Sequence, residues 1–452
     1  MPFFDWDESI YSQVGIEMIN RFSLVPSWQG VTWLDKPPLV PLYYGTVIKL
    51  FPFIQPEISV RISTLLLSVI VFSLLYALYF RVIKEPLLPT VIVAITSVTP
   101  IFLQRSQLGN IDVFLLLGWV GYILFYERFW ISLCFLAVAV LSKSLVGFYP
   151  VGIMGIYFTY QYVVKKIDRK KFLKEIKKLS IHAGILLLWY VVMLLIYGKA
   201  FFIQHVYESH FKRVTDSIES HFGKRTFYID LLFEQFGLYV WFSLLGLAAI
   251  FFDWYKNKFK IHTLMYATFF LPWFLFLNVT KTKIFWYGYP YIPQFVFLFV
   301  YPLMYIKRLF SSKIYNLIVI ALLLTVIYQS FIKERVQLDQ YASYDDHHKV
   351  AQLASKECSS LHVLNDPASR EAIHTLESMD LTITTTRWWG QHPSMVYYYG
   401  KPVEYIYDVE RVSELMVQQP KNGCIAVTPE DISTVSNLKL IQKYDNMSLY
   451  KF

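Results

Sequence analysis

Between residues 58 and 332 the chain is a succession of apolar stretches separated by short polar loops. No other feature limits its fold as strongly. In hydrocarbon, segments near the ~20-residue spanning length can satisfy their backbone groups only as helices or as a closed barrel. By that ~20-residue criterion we read roughly ten helical spans, near residues 58–80, 88–103, 111–126, 129–141, 144–164, 181–197, 236–252, 262–279, 285–306 and 314–332. The chain is 55% hydrophobic, above the apolar share of about 45–50% in soluble domains, and its mean hydropathy is +0.41. Its aromatic content of 18% suits belts at the two membrane interfaces.

The net charge of +9 does not point to nucleic acid, because the cations gather in short loops between spans. The densest run, Lys165-Lys166-Ile167-Asp168-Arg169-Lys170-Lys171 with Lys174, Lys177 and Lys178 beyond it, is a positive-inside signal and goes to the cytoplasm. Alternation then puts Arg81/Lys84, Glu127/Arg128, Lys256/Lys258/Lys260 and Lys307/Arg308/Lys313 on the same side. The other side receives residues 104–110, 199–235 and 280–283, the segment before residue 58, and everything after residue 333. The protein is thus expected to be a multi-pass protein of the plasma (inner) membrane with its polar loops and tail extracytoplasmic.

Residues 37–53 are apolar but carry Pro37, Pro38, Pro41 and Pro52, and read as a helix lying at the outer interface. The loop from Asp5 to Lys36 is then outside, so a first transmembrane helix ahead of Met1 is expected to carry it across. From residue 336 to 452 the pattern changes. Short apolar runs at 361–364, 381–384 and 424–427 alternate with helical patterns at 347–357, 368–379 and 409–418, which reads as a small α/β domain. Residues 1–335 form the membrane domain in this reading. Cys358 and Cys424 both fall in the tail and could pair outside the cytoplasm or stay as free thiols. No Cys/His spacing of the metal-binding kind appears, and His347-His348 reads as a solvated surface pair.

The polar residues of the outer side carry the chemistry. The first loop offers Asp5, Asp7, Glu8, Tyr11, Asp35 and Lys36. The second offers Arg105, Asn110 and Asp112, the last on the lip of a span where a carboxylate is costly unless paired or wet. The large loop offers His205, Glu208, His210, Lys212, Arg213 and His221, and Lys281 and Lys283 precede the ninth span. A carboxylate can take a proton from an acceptor hydroxyl. Lysines and arginines can hold a phosphate and stabilise the charge it develops on leaving. In a membrane, that phosphate is expected to carry a lipid. Two functions fit: an outward-facing enzyme, or a transporter or flippase for a lipid-linked anion. A transporter should keep charge at mid-membrane in broken helices, whereas these charges gather at outer span ends, which favours the enzyme. The intact set Asp7, Lys36 and Asp112 argues against a non-catalytic assembly subunit.

Asp5-Trp6-Asp7-Glu8-Ser9-Ile10-Tyr11, followed by Trp33-Leu34-Asp35-Lys36-Pro37-Pro38-Leu39, resembles the first periplasmic loop of the ArnT/protein O-mannosyltransferase family. Arg61, the Arg105…Asp112 pair, Leu141-Ser142-Lys143-Ser144-Leu145-Val146-Gly147, the stretch Arg213…His221…Gly223…Tyr228, and Thr280-Lys281-Thr282-Lys283-Ile284-Phe285-Trp286-Tyr287 are similar to later family elements, in the same order. Ile10 stands where ArnT itself has arginine and Ser144 replaces a glycine, so the resemblance is to the broader family. It implies a polytopic α-helical membrane protein of the C-type glycosyltransferase fold with a small C-terminal α/β extracytoplasmic domain. It also implies an inverting transfer of a hexosyl or pentosyl sugar from a polyprenyl-phosphate donor to a lipid, glycan or protein acceptor. On the matched positions, Asp7 would be the catalytic base, with Glu8 its neighbour in the acidic pair and Asp112 the second-loop acid. Lys36, Lys283 and Arg105 would hold the donor phosphate, and Tyr11, Arg213 and His221 would belong to the substrate loops. No cofactor is required on this reading; a divalent cation near the acids is left open, and no metal ligand is assigned.

Overall fold

The computed structural model describes residues 1–256, 260–307, 309–340 and 344–452. Lys258 and Arg308, two of the cations expected on the cytoplasmic side, lie outside the described residues.

The segment expected to be an outer loop opens with a helix. Asp7–Asn20 (α1) is followed by a two-stranded hairpin, Ser27–Trp28 (β1) with Val31–Thr32 (β2), and then Leu39–Leu50 (α2). The two helices cross at paired glycines. A Cβ on Gly15 would sit 2.1 Å from Pro41 O, and one on Gly45 would sit 2.3 Å from the Gly15 carbonyl group. Only residues without side chains permit that approach, and it fixes α1 directly over α2.

The first long span is Pro56–Ile83 (α3), with a proline in its first turn, where the missing N–H removes no helical bond. The expected span at 88–103 is broken into Leu87–Ser97 (α4) and Pro100–Arg105 (α5) because Pro100 cannot continue the ladder. Asp112–Leu124 (α6) has 13 residues, every one of them buried. It is therefore a central helix wrapped by others, which is how so apolar a sequence can be so short. Phe129–Lys143 (α7) and Tyr149–Val163 (α8) belong to one helical stretch of 35 residues. That stretch is broken at Ser144, where φ is +57°. Gly147 folds back there, its Cβ position 2.4 Å from Val140 N. Arg169–Phe201 (α9) begins with the Asp168 carboxylate accepting the Lys171 N–H at 2.7 Å.

Among the described residues six helices are long and apolar enough to cross a membrane, or seven if Ile261–Ala267 and Leu271–Val279, bent by 49°, count as one. Roughly ten spans were expected; the shorter count reflects the Pro100 break, the short central α6 and the bent pair, together with the joining of α7 and α8 into one stretch. These two nevertheless run in opposite directions along α6, Lys143 at the end of α7 meeting Asp112 and Phe158 late in α8 meeting Tyr126. Phe285–Ile306 is central, with 78% of its apolar window buried, against 17% for Phe227–Tyr255 and Ser312–Gln329, which form the outside of the bundle. The helix that begins at Ser312 runs to Gln340, through the boundary expected at 335/336.

The tail carries a five-stranded sheet of Ser360–Leu364 (β3), Val403–Ile406 (β4), Gly423–Val427 (β5), Lys439–Lys443 (β6) and Ser448–Lys451 (β7), in the order β4-β3-β5-β7-β6. β3 pairs parallel with β4 and β5, and β7 antiparallel with β5 and β6. The helices Asp346–Glu357, Pro367–Ser378 and Val409–Gln418 lie where periodicity placed them. Residues 381–384, expected to be a strand, form none; Thr384 N and Oγ1 bind the Glu208 carboxylate instead. Cys358 and Cys424 are joined by a disulfide. This unit shares a core with the start of the chain, in which Trp28 and Trp33 meet Trp389 at 5.0 and 5.6 Å.

Candidate active site

The helix order brings the polar residues to one end of the bundle. Loop 105–112 is built around Asn110. Its amide donates to the carbonyls of Arg105 and Leu108, and its Oδ1 accepts the N–H groups of Asp112 and Val113 at the start of α6. The Tyr44 hydroxyl of α2 donates to Asn110 O and accepts from Asn110 N. That scaffold aims Arg105 and Asp112 at each other. Arg105 Nη2 lies 2.9 Å from Asp112 Oδ2 and 2.6 Å from Asp7 Oδ2, and Lys143 Nζ reaches Asp112 Oδ1 at 2.5 Å.

The two acids are therefore in different states. Asp112 is wholly buried with both oxygens paired. Asp7 is engaged through Oδ2 alone, its side chain 21% exposed, and it lines a cavity of about 1230 Å3. The guanidinium and ammonium that hold Asp112 are capped by rings, Arg105 over Trp286 at 5.1 Å and Lys143 over Tyr287 at 4.5 Å.

Lys143 owes its place to the break at Ser144. A non-glycine residue at positive φ is strained, and here the side chain is tied down. The Tyr190 hydroxyl lies 2.9 Å from Ser144 Oγ, which lies 2.6 Å from His205 Nε2, and His205 Nδ1 donates to Leu34 O at 2.8 Å. The neighbouring Asp35 pairs with Lys36 at 2.7 Å and accepts from Ser209. Burial works against the Asp35 carboxylate, but Lys36 and then Arg213 outweigh it and hold its carboxyl well below the usual range. Lys36, Lys143, Arg213 and His221 all line the same cavity as Asp7 and Tyr11. Val146, Ile153, Ile156, Pro272 and Phe276 add an apolar part to its wall. Ile156 is 69% exposed, so this wall continues onto the outside of the bundle.

Residues 35–197 match the family model described as dolichyl-phosphate-mannose-protein mannosyltransferase. The whole fold is similar to ArnT from Cupriavidus metallidurans bound to undecaprenyl phosphate, at 13% identity and a TM-score of 0.66, covering 99% of this chain and 94% of that one. Over residues 35–197 the chain is thus similar to that mannosyltransferase family, and its fold as a whole is ArnT-like. The apo form of the same ArnT gives a TM-score of 0.65 at 13% identity, with the same coverage of 99% and 94%. The oligosaccharyltransferase of Archaeoglobus fulgidus, in complex with Zn and sulfate, is similar at 11% identity and a TM-score of 0.59, covering 95% of this chain and 66% of that one. No curated protein matches by sequence.

In this ArnT-like chain four of the expected residues, Glu8, Lys283, Arg105 and Asp112, do not line the cavity. Glu8 is wholly buried and spends its carboxylate on Arg61 (2.7 and 3.1 Å), Gly109 N (3.0 Å) and Phe4 N (2.9 Å). It ties α1 to α3 and to loop 105–112. Lys283 Nζ donates to the carbonyls of Leu277 and Asn278 at 2.9 and 3.1 Å, capping the helix Leu271–Val279. Its backbone N–H holds His221 O at 3.0 Å, so it seats the loop that carries His221. Arg105 lies behind Asp7 and is 2% exposed. Sequence reasoning gave Lys143 no role in the acidic pair; the signal was its place in Leu141-Ser142-Lys143, at the same end of the bundle as Asp112. His347 and His348, expected on the surface, are buried at 8% and 3% exposure.

Proposed function

We propose that the chain is an inverting glycosyltransferase that moves a sugar from a polyprenyl-phosphate donor to an acceptor hydroxyl at the extracytoplasmic face of the membrane. The observation that carries this is the half-paired Asp7, presented by Arg105 at the wall of a cavity that also holds Lys36, Lys143 and Arg213. Asp7 Oδ1 accepts the acceptor's proton. The freed oxygen attacks the anomeric carbon from the face opposite the phosphate, and the bond from that carbon to the phosphate oxygen breaks. The negative charge left on the polyprenyl phosphate falls to Lys36 and Arg213, with Lys143 behind them. Binding of undecaprenyl phosphate by the similar ArnT, together with the apolar wall through Ile156, supports a long prenyl chain entering from the lipid.

Asp112 in this scheme holds Arg105 and Lys143 in position, while Glu8 and Lys283 brace the loops. Tyr11 and His221 face the sugar or acceptor. We assign residues 1–335 to the membrane transferase unit and 336–452 to an extracytoplasmic cover, whose Ser369, Ile373 and Trp389 help close the cavity. The test is reconstitution of the full chain in vesicles with polyprenyl-phosphate sugars. Sugar-dependent release of polyprenyl phosphate, matched by a glycosylated acceptor, is expected. Movement of the intact donor across the bilayer without release would instead make the protein a transporter.

A further inference from the structure

Asp5 precedes α1 and turns away from the cavity toward the C-terminal unit. Its Oδ1 accepts the Ser394 N–H at 3.1 Å, and its Oδ2 lies 2.7 Å from His392 Nδ1 and 3.3 Å from His347 Nε2. His347 comes from the first turn of the helix Asp346–Glu357, and His392 from the turn before Ser394–Tyr399. Their rings stack at 3.9 Å with 9° between the planes. The carboxylate oxygen and two imidazole nitrogens all lie within 4.8 Å of one another. His347 is 8% exposed, yet its Nε2 makes no hydrogen bond although it faces a carboxylate oxygen. A buried polar nitrogen left without a hydrogen bond keeps its desolvation cost uncompensated, so a ligand at that position would be favoured.

We propose that Asp5, His347 and His392 form a divalent metal site of the zinc type, which fastens the C-terminal sheet unit to the segment that leads into Asp7. Two imidazoles and a carboxylate are a donor set that zinc accepts, with water in the fourth place. With metal–ligand bonds of about 2.0–2.1 Å, the edge of a tetrahedron is roughly 3.3–3.5 Å. The 3.3 Å separation matches that edge, and the 2.7 Å one reaches it by opening as the proton between Asp5 and His392 leaves. The two rings, 9° apart in plane and stacked, must also rotate so that each nitrogen's in-plane lone pair meets the ion. The outer shell is in place. The Ser394 N–H orients Asp5, and the Tyr405 hydroxyl donates to His392 O at 2.8 Å and holds that turn. The ligands come from both ends of the chain, so the metal joins elements that the sequence separates.

The site is independent of any transfer chemistry, and its test reads metal alone. Purified full-length protein in detergent is stripped with EDTA, exposed to Zn2+, desalted, and its metal content measured by mass spectrometry. Wild type is expected to keep one equivalent more than His347→Gln or His392→Gln, and the double variant should lose no more than either single one. His362→Gln, which alters the pair His362–Glu404 at 2.8 Å on the sheet, should retain the wild-type content. Zn2+ affinity at this site should fall on the order of 100-fold in either ligand variant, given that even outer-shell changes cost about 10–100-fold. Wild-type protein is also loaded with Co2+, and tetrahedral ligand-field bands are expected. Equal zinc content in wild type and ligand variants overturns the proposal. So does wild type that shows no tetrahedral Co2+ spectrum, a reading that stands even where a variant fails to fold.

Discussion

One nitrogen of Arg105 serves two carboxylates: Nη2 lies 2.6 Å from Asp7 Oδ2 and 2.9 Å from Asp112 Oδ2. The first acid begins α1 and the second begins α6. A single buried guanidinium thus couples the start of the chain to the central helix, and Lys143 extends the coupling to the end of α7.

Removing Arg105 leaves Asp112 with only Lys143 and Asp7 with no cation. Breaking a buried ion pair by deleting one partner costs about 3–5 kcal/mol. Arg105→Ala should lower the melting temperature in detergent and abolish activity. Arg105→Lys, which keeps the charge but loses the forked geometry, should retain more stability than activity. Differential scanning fluorimetry beside a transfer assay checks both.

On the proposed mechanism Lys36 binds the donor phosphate while Lys283 braces a loop. Lys36 lines the cavity, whereas the Lys283 ammonium is spent on two carbonyls. Lys36→Ala should cut turnover on the order of 100-fold, the scale of losing one transition-state charge partner, with the melting temperature little changed. Lys283→Ala should act mainly through stability and through KM, by loosening the His221 loop. A large kcat loss in Lys283→Ala with unchanged stability would reverse the two roles.

The glycine crossing of α1 and α2 is a structural requirement of the site. Gly45→Ala puts a methyl 2.3 Å from the Gly15 carbonyl group, and backbone, unlike a flexible side chain, cannot yield cheaply. The helices must part at a cost of about 1–3 kcal/mol, shifting Asp7 and Lys36 together. Gly184→Ala meets nothing within 4 Å and should leave both stability and activity near wild type.

The membrane class, the later helices of the tail and the residues at one end of the bundle were legible in the sequence because hydropathy and charge alternation report them directly. Which of the apolar helices are long and unbroken was not. Hydropathy cannot tell α6, buried on every side, from a lipid-facing helix, nor foresee that Pro100 divides a span. The apolar run at 37–53 announced α2, but α1 was not placed because its acidic first turn looks like a loop, and that the two cross is evident only once Gly15 and Gly45 meet. Glu8 and Lys283 carry the right charges for a site, but only coordinates show those charges already spent on Arg61 and on the Leu277 and Asn278 carbonyls. His347 looked solvated because nothing local announces that the tail folds back onto Asp5.

The central claim is that Asp7 is the base, and Asp7→Asn tests it most directly because the amide keeps the shape while removing the proton acceptor. Donor binding and sugar transfer are measured on the same purified protein. The account predicts that binding of a polyprenyl-phosphate sugar stays within a few-fold of wild type while transfer falls about 100- to 10,000-fold, the range for loss of a general base. Transfer at the wild-type rate in Asp7→Asn, with Asp112→Asn inactive, would contradict it and move the base to Asp112.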